Sequence, residues 1–136
     1  DSFDFVSGGS HKLKEGVDIA ILAMGSRVKA ALDAAETLEK QGVHASVYDM
    51  YSVKPIDEKA IAEAAKSGVI VTCEDHNVLG GLGSAVCEVV CKEGLKCKVE
   101  RLGALDTFGR SGSAGELYRY YHMDSEDIVK AVLKNL

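Results

Sequence analysis

Residues 18–26 read DIAILAMGS, and this stretch decides the class of fold. The run at 18–24 is apolar and rich in β-branched residues, which is typical of a buried strand in a parallel sheet. Gly25 and Ser26 end the run. Apolar residues then recur at helical spacing over 28–38, with Ser26 as the predicted N-cap and Gly42 as the predicted stop. The stretch therefore predicts one strand, one turn and one helix.

The same alternation continues along the chain. Further strands are predicted at 45–50, 69–73 and 98–102, and further helices at 57–66, 82–92, 113–121 and 124–136. This order predicts an α/β fold with an open, mostly parallel sheet, helices on both faces and right-handed crossovers. Residues 11–14 add a candidate strand at one edge, where mixed sheets commonly carry an antiparallel strand.

The N-terminal stretch differs from the rest of the chain. It contains Ser-Gly-Gly-Ser at 7–10, a sequence typical of a linker. We interpret residues 1–11 as a linker or tail and residues 12–136 as one domain, the number expected at this length. A first residue other than Met suggests a segment of a longer chain, although processing of the N-terminus would give the same start.

Composition argues against two classes of partner. Sixteen Lys and Arg against 21 Asp and Glu give a net charge of -5, and the basic residues are scattered. Nucleic acid is not an expected partner, because binding it requires clustered positive charge. The longest uncharged apolar run, at 19–25, is far shorter than the roughly 20 residues that cross a bilayer, so no membrane partner is expected.

The chain has four cysteines, Cys73, Cys87, Cys91 and Cys97, with no signal peptide before them. We therefore predict buried free thiols in a reducing cytoplasm rather than a disulfide framework. Cys87 and Cys91 lie at i,i+4 on one face of a predicted helix, a spacing that two metal ligands can use. No paired His or second pair of cysteines completes a zinc site, so buried thiols are the preferred interpretation.

The candidate ligand site lies at the carboxyl edge of the predicted sheet, where crevices open in folds of this class. Gly25 and Ser26 begin a helix whose free amides attract an anion, although Ser26 can instead cap its own helix. Arg110 is a further candidate, because a guanidinium binds phosphate or carboxylate. The other candidates follow the strand at 69–73 and are Glu74, Asp75, His76, Gly80, Gly81 and Gly83.

Two interpretations of the segment 74–83 stay open. Its carboxylates and imidazole can supply acid and base groups to a ligand. Alternatively, one carboxylate binds the backbone amides of the glycine turn while His76 lies at a subunit surface. The glycines match neither a dinucleotide fingerprint nor a phosphate-binding P-loop. No catalytic residue is assigned.

Four parts of the sequence together resemble the C-terminal domain of transketolase. They are DIAILAMGS at 18–26, VKPID at 53–57, VTCEDH at 71–76 with GGLG at 80–83, and FGRSG at 108–112 with GELY at 115–118. The resemblance covers 12–136 and extends to deoxyxylulose-phosphate synthase and the beta subunits of 2-oxo acid dehydrogenases. It implies a three-layer α/β/α domain with a five-stranded, mostly parallel mixed sheet and one antiparallel edge strand.

The resemblance also implies a function. Full-length transketolase transfers a two-carbon ketol unit between sugar phosphates, using thiamin diphosphate and a divalent metal, Mg or Ca, bound between two preceding domains of a homodimer. The expected role here is a non-catalytic structural and assembly domain in the cytoplasm. It would hold no cofactor, and its partners would be the preceding domains or a companion subunit. Two alternatives stay open: a stand-alone module that binds an anionic metabolite near Gly25, Ser26, Glu74 and His76, or the same domain of a related enzyme.

Overall fold

The computed structural model describes residues 5–77, 81–104 and 124–136, without the side chains at 75–77 and 104. The strands are β1 His11–Lys14, β2 Ile19–Ala23, β3 Ala45–Asp49, β4 Val69–Asn77 and β5 Lys98–Ala104. The helices are α1 Arg27–Lys40, α2 Glu58–Ala65, α3 Leu82–Lys92 and α4 Ser125–Lys134. The helix predicted at 113–121 lies outside the described residues.

The strands form one five-stranded sheet in the order β1-β3-β2-β4-β5. β1 pairs antiparallel with β3, and the other neighbouring strands are parallel. In the centre of the sheet, Ile21 lies between Val47 and Val71. The predicted mixed sheet with an antiparallel edge strand is confirmed.

Two apolar cores lie between the sheet and its two helix layers, one on each face. One core joins β2 to α1 and α4 and contains Ile21, Leu38 and Ile128. The other joins the opposite face of β2 to α2 and α3 and contains Leu22 and Ile61. Alternate side chains of a strand point to opposite faces, so β2 is buried at all five positions and shows no polar alternation. The three-layer α/β/α architecture is confirmed.

The edge strand β1 is held to β3 and α2 by a small polar cluster. The hydroxyl of Tyr48 donates a hydrogen bond to Glu63 at 2.8 Å, and the ammonium of Lys12 lies 3.4 Å from the same carboxylate and 5.5 Å from the Tyr48 ring centroid. Burial, followed by the hydrogen bond to Glu63, raises the pKa of Tyr48 to about 12. Its phenol therefore stays protonated and acts as a donor at neutral pH.

The turn between β2 and α1 forms differently from the prediction. Gly25 has a φ of +64°, which favours glycine, but Ser26 has helical backbone angles and makes no side-chain capping hydrogen bond. The first amides of α1 instead reach backbone carbonyls: Arg27 donates to Met24 at 3.3 Å, and Val28 donates to Gly25 at 3.2 Å. The predicted stop is confirmed, since Gly42 follows α1 with a φ of +83°.

All four cysteines carry free thiols, but their burial was only partly predicted. Cys73 on β4 is buried, Cys87 and Cys97 are half-buried, and Cys91 is exposed. The prediction was wrong for Cys91, because the buried face of α3 is formed by other residues, among them Val86. Within the described residues, no three His, Cys, Asp or Glu side chains are grouped to hold a metal ion. None of the described helices has both the length and the apolarity to span a membrane.

Candidate ligand site at the carboxyl edge of the sheet

The carboxyl ends of β2 and β4 lie side by side at this edge of the sheet. Ala23 pairs with Cys73, and the amide of Met24 donates to the Cys73 carbonyl at 3.1 Å. The turn at Gly25 and Ser26 therefore follows one strand, and Glu74 continues its neighbour. Backbone topology alone places these candidate residues at the same edge.

Glu74 is fully buried and binds the start of α3. Its Oε1 accepts a hydrogen bond from the amide of Leu82 at 2.7 Å, and its Oε2 accepts one from the amide of Gly83 at 2.8 Å. A carboxylate at this end of a helix satisfies amides that lack an intrahelical partner and interacts favourably with the helix dipole. Of the two interpretations left open by the sequence, this is the geometry in which a carboxylate binds the glycine turn.

Two glycines make room for this arrangement. A Cβ on Gly81 would collide with Oε1 of Glu74, although the backbone of Gly81, with φ -102°, lies outside the left-handed region. A Cβ on Gly83 would lie 2.8 Å from Cγ and Cδ of Arg101 and 3.0 Å from Oγ1 of Thr72. Close approach to the buried carboxylate therefore favours glycine at 81, whereas a Cβ at 83 would require the exposed side chain of Arg101 to shift.

Thr72 and Arg101 were not among the residues singled out from the sequence. Thr72 is buried and pairs with Arg101 across β4 and β5. The sequence contains a weak indication that Thr72 belongs with Glu74, because it lies two residues earlier and thus on the same face of β4. The N-terminus of α3 covers that face and binds Glu74, whereas the buried hydroxyl of Thr72 has no hydrogen-bond partner in the described part of the chain.

The structure does not unite all the candidates in one site. Ser26 lines a shallow depression with Arg27, Asp33 and Asp124, where the N-termini of α1 and α4 meet. This depression belongs to the helix layer on one face of the sheet, whereas Glu74 is bound by α3 on the other face. The two groups of residues therefore share an edge of the sheet but lie on its opposite faces.

The remaining candidates have no described side chain. Asp75 and His76 belong to β4 by their backbone. Gly80 and Arg110 lie outside the described residues. The roles predicted for these four residues in a ligand site or at a subunit surface therefore stay predictions.

A comparison with models of known domain families shows the family to which this chain belongs. The model of the transketolase C-terminal domain matches residues 8–128. This chain belongs to that family. The three-layer architecture of the structure agrees with this assignment.

Individual relatives agree with the family assignment of this transketolase C-terminal domain. A protein of Methanocaldococcus jannaschii, provisionally named a transketolase C-terminal section, is 42% identical over 132 residues, which are 97% of this chain and 41% of the relative. The 1-deoxy-D-xylulose-5-phosphate synthase of Syntrophotalea carbinolica is 40% identical over 126 residues, which are 92% of this chain and 20% of the enzyme.

Solved structures give the same result. A split gene transketolase, described as an inactive beta4 tetramer, has a TM-score of 0.92 and 43% identity over 97% of this chain and 43% of its own. The transketolase of Campylobacter jejuni has a TM-score of 0.70 and 26% identity over 97% of this chain and 19% of its own. This domain thus spans less than half of the length of each of these relatives.

Proposed function

We propose that this chain is the C-terminal structural and assembly domain of a transketolase, which transfers a two-carbon ketol unit between sugar phosphates. The family match over residues 8–128 carries the assignment to transketolase, and the hydrogen bonds of Glu74 support the structural role. Glu74 is the one buried acidic side chain among the described residues, and both of its oxygens bind amides of the domain itself. A carboxylate held in this way stabilises a turn and is not presented to a substrate.

The described residues do not fit the thiamin diphosphate and divalent metal of the proposed enzyme. A metal that holds a diphosphate needs carboxylate, amide or carbonyl oxygens that converge on an open position. Here the carboxylate of Glu74 is enclosed, and no group of three suitable side chains occurs in the described part of the chain. We propose that the cofactor and the metal bind in the other domains of the enzyme.

The lengths of the relatives support a partner polypeptide for this domain. This domain covers 41% of the M. jannaschii relative and 43% of the split gene transketolase, so in both cases more polypeptide accompanies it. We propose that the preceding domains, or a companion subunit that carries them, bind this domain in the cytoplasm, and that the complete enzyme is a homodimer.

A specific observation favours a second candidate. The 40% identity to a 1-deoxy-D-xylulose-5-phosphate synthase is close to the 42% identity to the transketolase section. This chain can therefore be the equivalent domain of such a synthase. The product made by the domain together with its companion polypeptide separates the two. Both enzymes lengthen an aldose phosphate by two carbons, but a ketose phosphate that carries a hydroxyl on C1 supports transketolase, whereas 1-deoxy-D-xylulose 5-phosphate, which lacks that hydroxyl, supports the synthase.

Calorimetry tests the assignment of the cofactor. Thiamin diphosphate titrated with Mg²⁺ into the purified 136-residue chain is expected to release no binding heat, because the proposal assigns its site to the companion polypeptide. The same titration into the chain mixed with its companion polypeptide is expected to show saturable heat. Saturable binding by the chain alone would remove the basis of the proposal.

A further inference from the structure

Two of the four cysteines lie in the interface between α3 and β5. A Cβ on Gly83 would lie 2.8 Å from the side chain of Arg101, so the first turn of α3 covers that part of β5. Cys87 follows Gly83 by four residues and therefore lies on the same face of α3. Cys97 directly precedes β5 and packs against the apolar core that α3 covers. The two thiols therefore belong to one helix–strand interface.

Backbone hydrogen bonds fix the position of Cys97 relative to α3. The amide of Leu95 donates to the carbonyl of Val90 at 3.0 Å, which returns the chain to the end of the helix. The amide of Lys98 donates to the carbonyl of Gly68 at 3.0 Å, which begins the pairing of β5. Cys97 lies between these two bonds, so its place is set by the sheet and the helix end.

The surroundings of the Cys97 thiol include the other cysteine. Its Sγ donates a hydrogen bond to the carbonyl of Lys98 at 3.4 Å. The pKa of Cys97 is raised, chiefly by burial and also by the charge of a Cys87 thiolate, while a hydrogen bond with the backbone of Ile70 lowers it. The two sulfur atoms are therefore close enough to interact electrostatically. Both side chains are half-buried, so each keeps part of its surface open to a small reagent.

The other two cysteines are poorly placed to compete for this pairing. Cys73 belongs to the core on the opposite face of the sheet. Cys91 is exposed on α3 and lies four residues after Cys87. Cβ atoms at that helical spacing are about 5–6 Å apart, whereas a disulfide needs them at about 3.5–4.5 Å. The arrangement therefore favours Cys87 with Cys97.

We propose that Cys87 and Cys97 form a site of reversible oxidation, at which a peroxide converts the two thiols to a disulfide that joins α3 to β5. Disulfides in reducing compartments are usually transient, and many of them sense oxidants. This inference goes beyond the proposed function and does not depend on it.

The reaction has two steps. Burial lowers the thiolate fraction of Cys97, so oxidation begins at Cys87. The Cys87 thiolate attacks one peroxide oxygen, the O–O bond breaks, and a sulfenic acid and water are formed. The sulfur of Cys97 then attacks the sulfenic sulfur, the S–O bond breaks, and the released hydroxide leaves as water with the Cys97 proton. Two thiols are oxidised, and one peroxide is reduced to two waters.

Mass spectrometry of the folded 136-residue chain after treatment with hydrogen peroxide at low protein concentration tests the inference. We expect the chain to lose the mass of two hydrogen atoms and to yield one pair of peptides joined through Cys87 and Cys97. Dithiothreitol should reverse both changes. The matched control Cys91→Ser should form the same bond. Cys97→Ser should form none and should keep a sulfenic acid at Cys87, which dimedone traps.

Urea unfolding shows whether the bond fits the fold. A disulfide that closes this short loop without distorting it should raise the urea midpoint of the oxidised wild type by about 1 M over the reduced protein. The midpoint of Cys97→Ser should stay close to its own value after the same treatment. Unfolding curves of the reduced variants verify that they fold.

Each other outcome contradicts the inference. A bond between another pair of cysteines, or between two chains, shows that these thiols are not the preferred pair. Four free thiols after treatment with excess peroxide show that the pair is not oxidised. A urea midpoint that is unchanged or lower in the oxidised chain shows that the bond forms outside the native arrangement. The family assignment and the proposed function stand in all of these cases.

Discussion

Replacing Glu74 with alanine is expected to lower the free energy of unfolding by about 3 kcal/mol, the sum of two charge-assisted hydrogen bonds to a helix N-terminus. The variant leaves the amides of Leu82 and Gly83 without their acceptor inside the protein. Water cannot replace the carboxylate easily, because the position is fully buried. This is a large part of a total stability of roughly 5–15 kcal/mol. Urea unfolding of both proteins measures the difference.

Two further variants make this prediction specific. Glu74→Gln keeps the shape of the side chain and one acceptor oxygen. One of the two hydrogen bonds therefore remains, and we expect about half of the loss in stability seen for Glu74→Ala. Glu88→Ala removes an exposed carboxylate from the same helix and should change stability by no more than about 0.5 kcal/mol. If Glu74→Ala and Glu88→Ala unfold at the same urea concentration, Glu74 does not stabilise α3.

Replacing Gly81 with alanine is expected to have a comparable effect, also about 3 kcal/mol, because the new methyl group displaces the carboxylate and breaks its charge-assisted hydrogen bonds. The added Cβ would occupy the position of Oε1 of Glu74. The side chain of Glu74 must then leave its place, although nothing has been removed from it. Urea unfolding again measures the loss.

The two substitutions should not be additive. In a Glu74→Ala background the oxygen that the new Cβ meets is absent, so Gly81→Ala is expected to cost less than about 1 kcal/mol there, as for contacting residues in a double-mutant cycle. Losses that simply add would show that alanine at 81 acts independently of the carboxylate.

The topology was predictable from the pattern of apolar residues. β2 is a short run without polar alternation, and only a strand covered on both faces needs that pattern. The end of β4 was not predictable. Its last residues are polar and resemble a loop, yet the strand continues to Asn77, which pairs with Ala104 after an irregularity in register. The strand extends to Asn77 because it pairs with β5 there, and such pairing cannot be predicted from the local composition of β4.

The position of Glu74 and Ser26 at one edge of the sheet was predictable, but their arrangement was not. Glu74 and Ser26 follow neighbouring strands, so both were assigned to one crevice. The structure places Glu74 against α3 and Ser26 beside Asp124 at the start of α4, on opposite faces of the sheet. The role of Glu74 depends on the path of the backbone eight and nine residues later, which brings two amides to its oxygens. The spacing of residues in the sequence does not predict the path of the backbone between Glu74 and α3.

The central claim is that this domain supports an enzyme whose reactive groups lie in other domains. Its most direct test is a ketol-transfer assay with sugar phosphates, thiamin diphosphate and Mg²⁺, run on the folded 136-residue chain alone and then with its companion polypeptide. The account predicts no transfer by the chain alone and transfer once the companion is added. Transfer by the chain alone would contradict it.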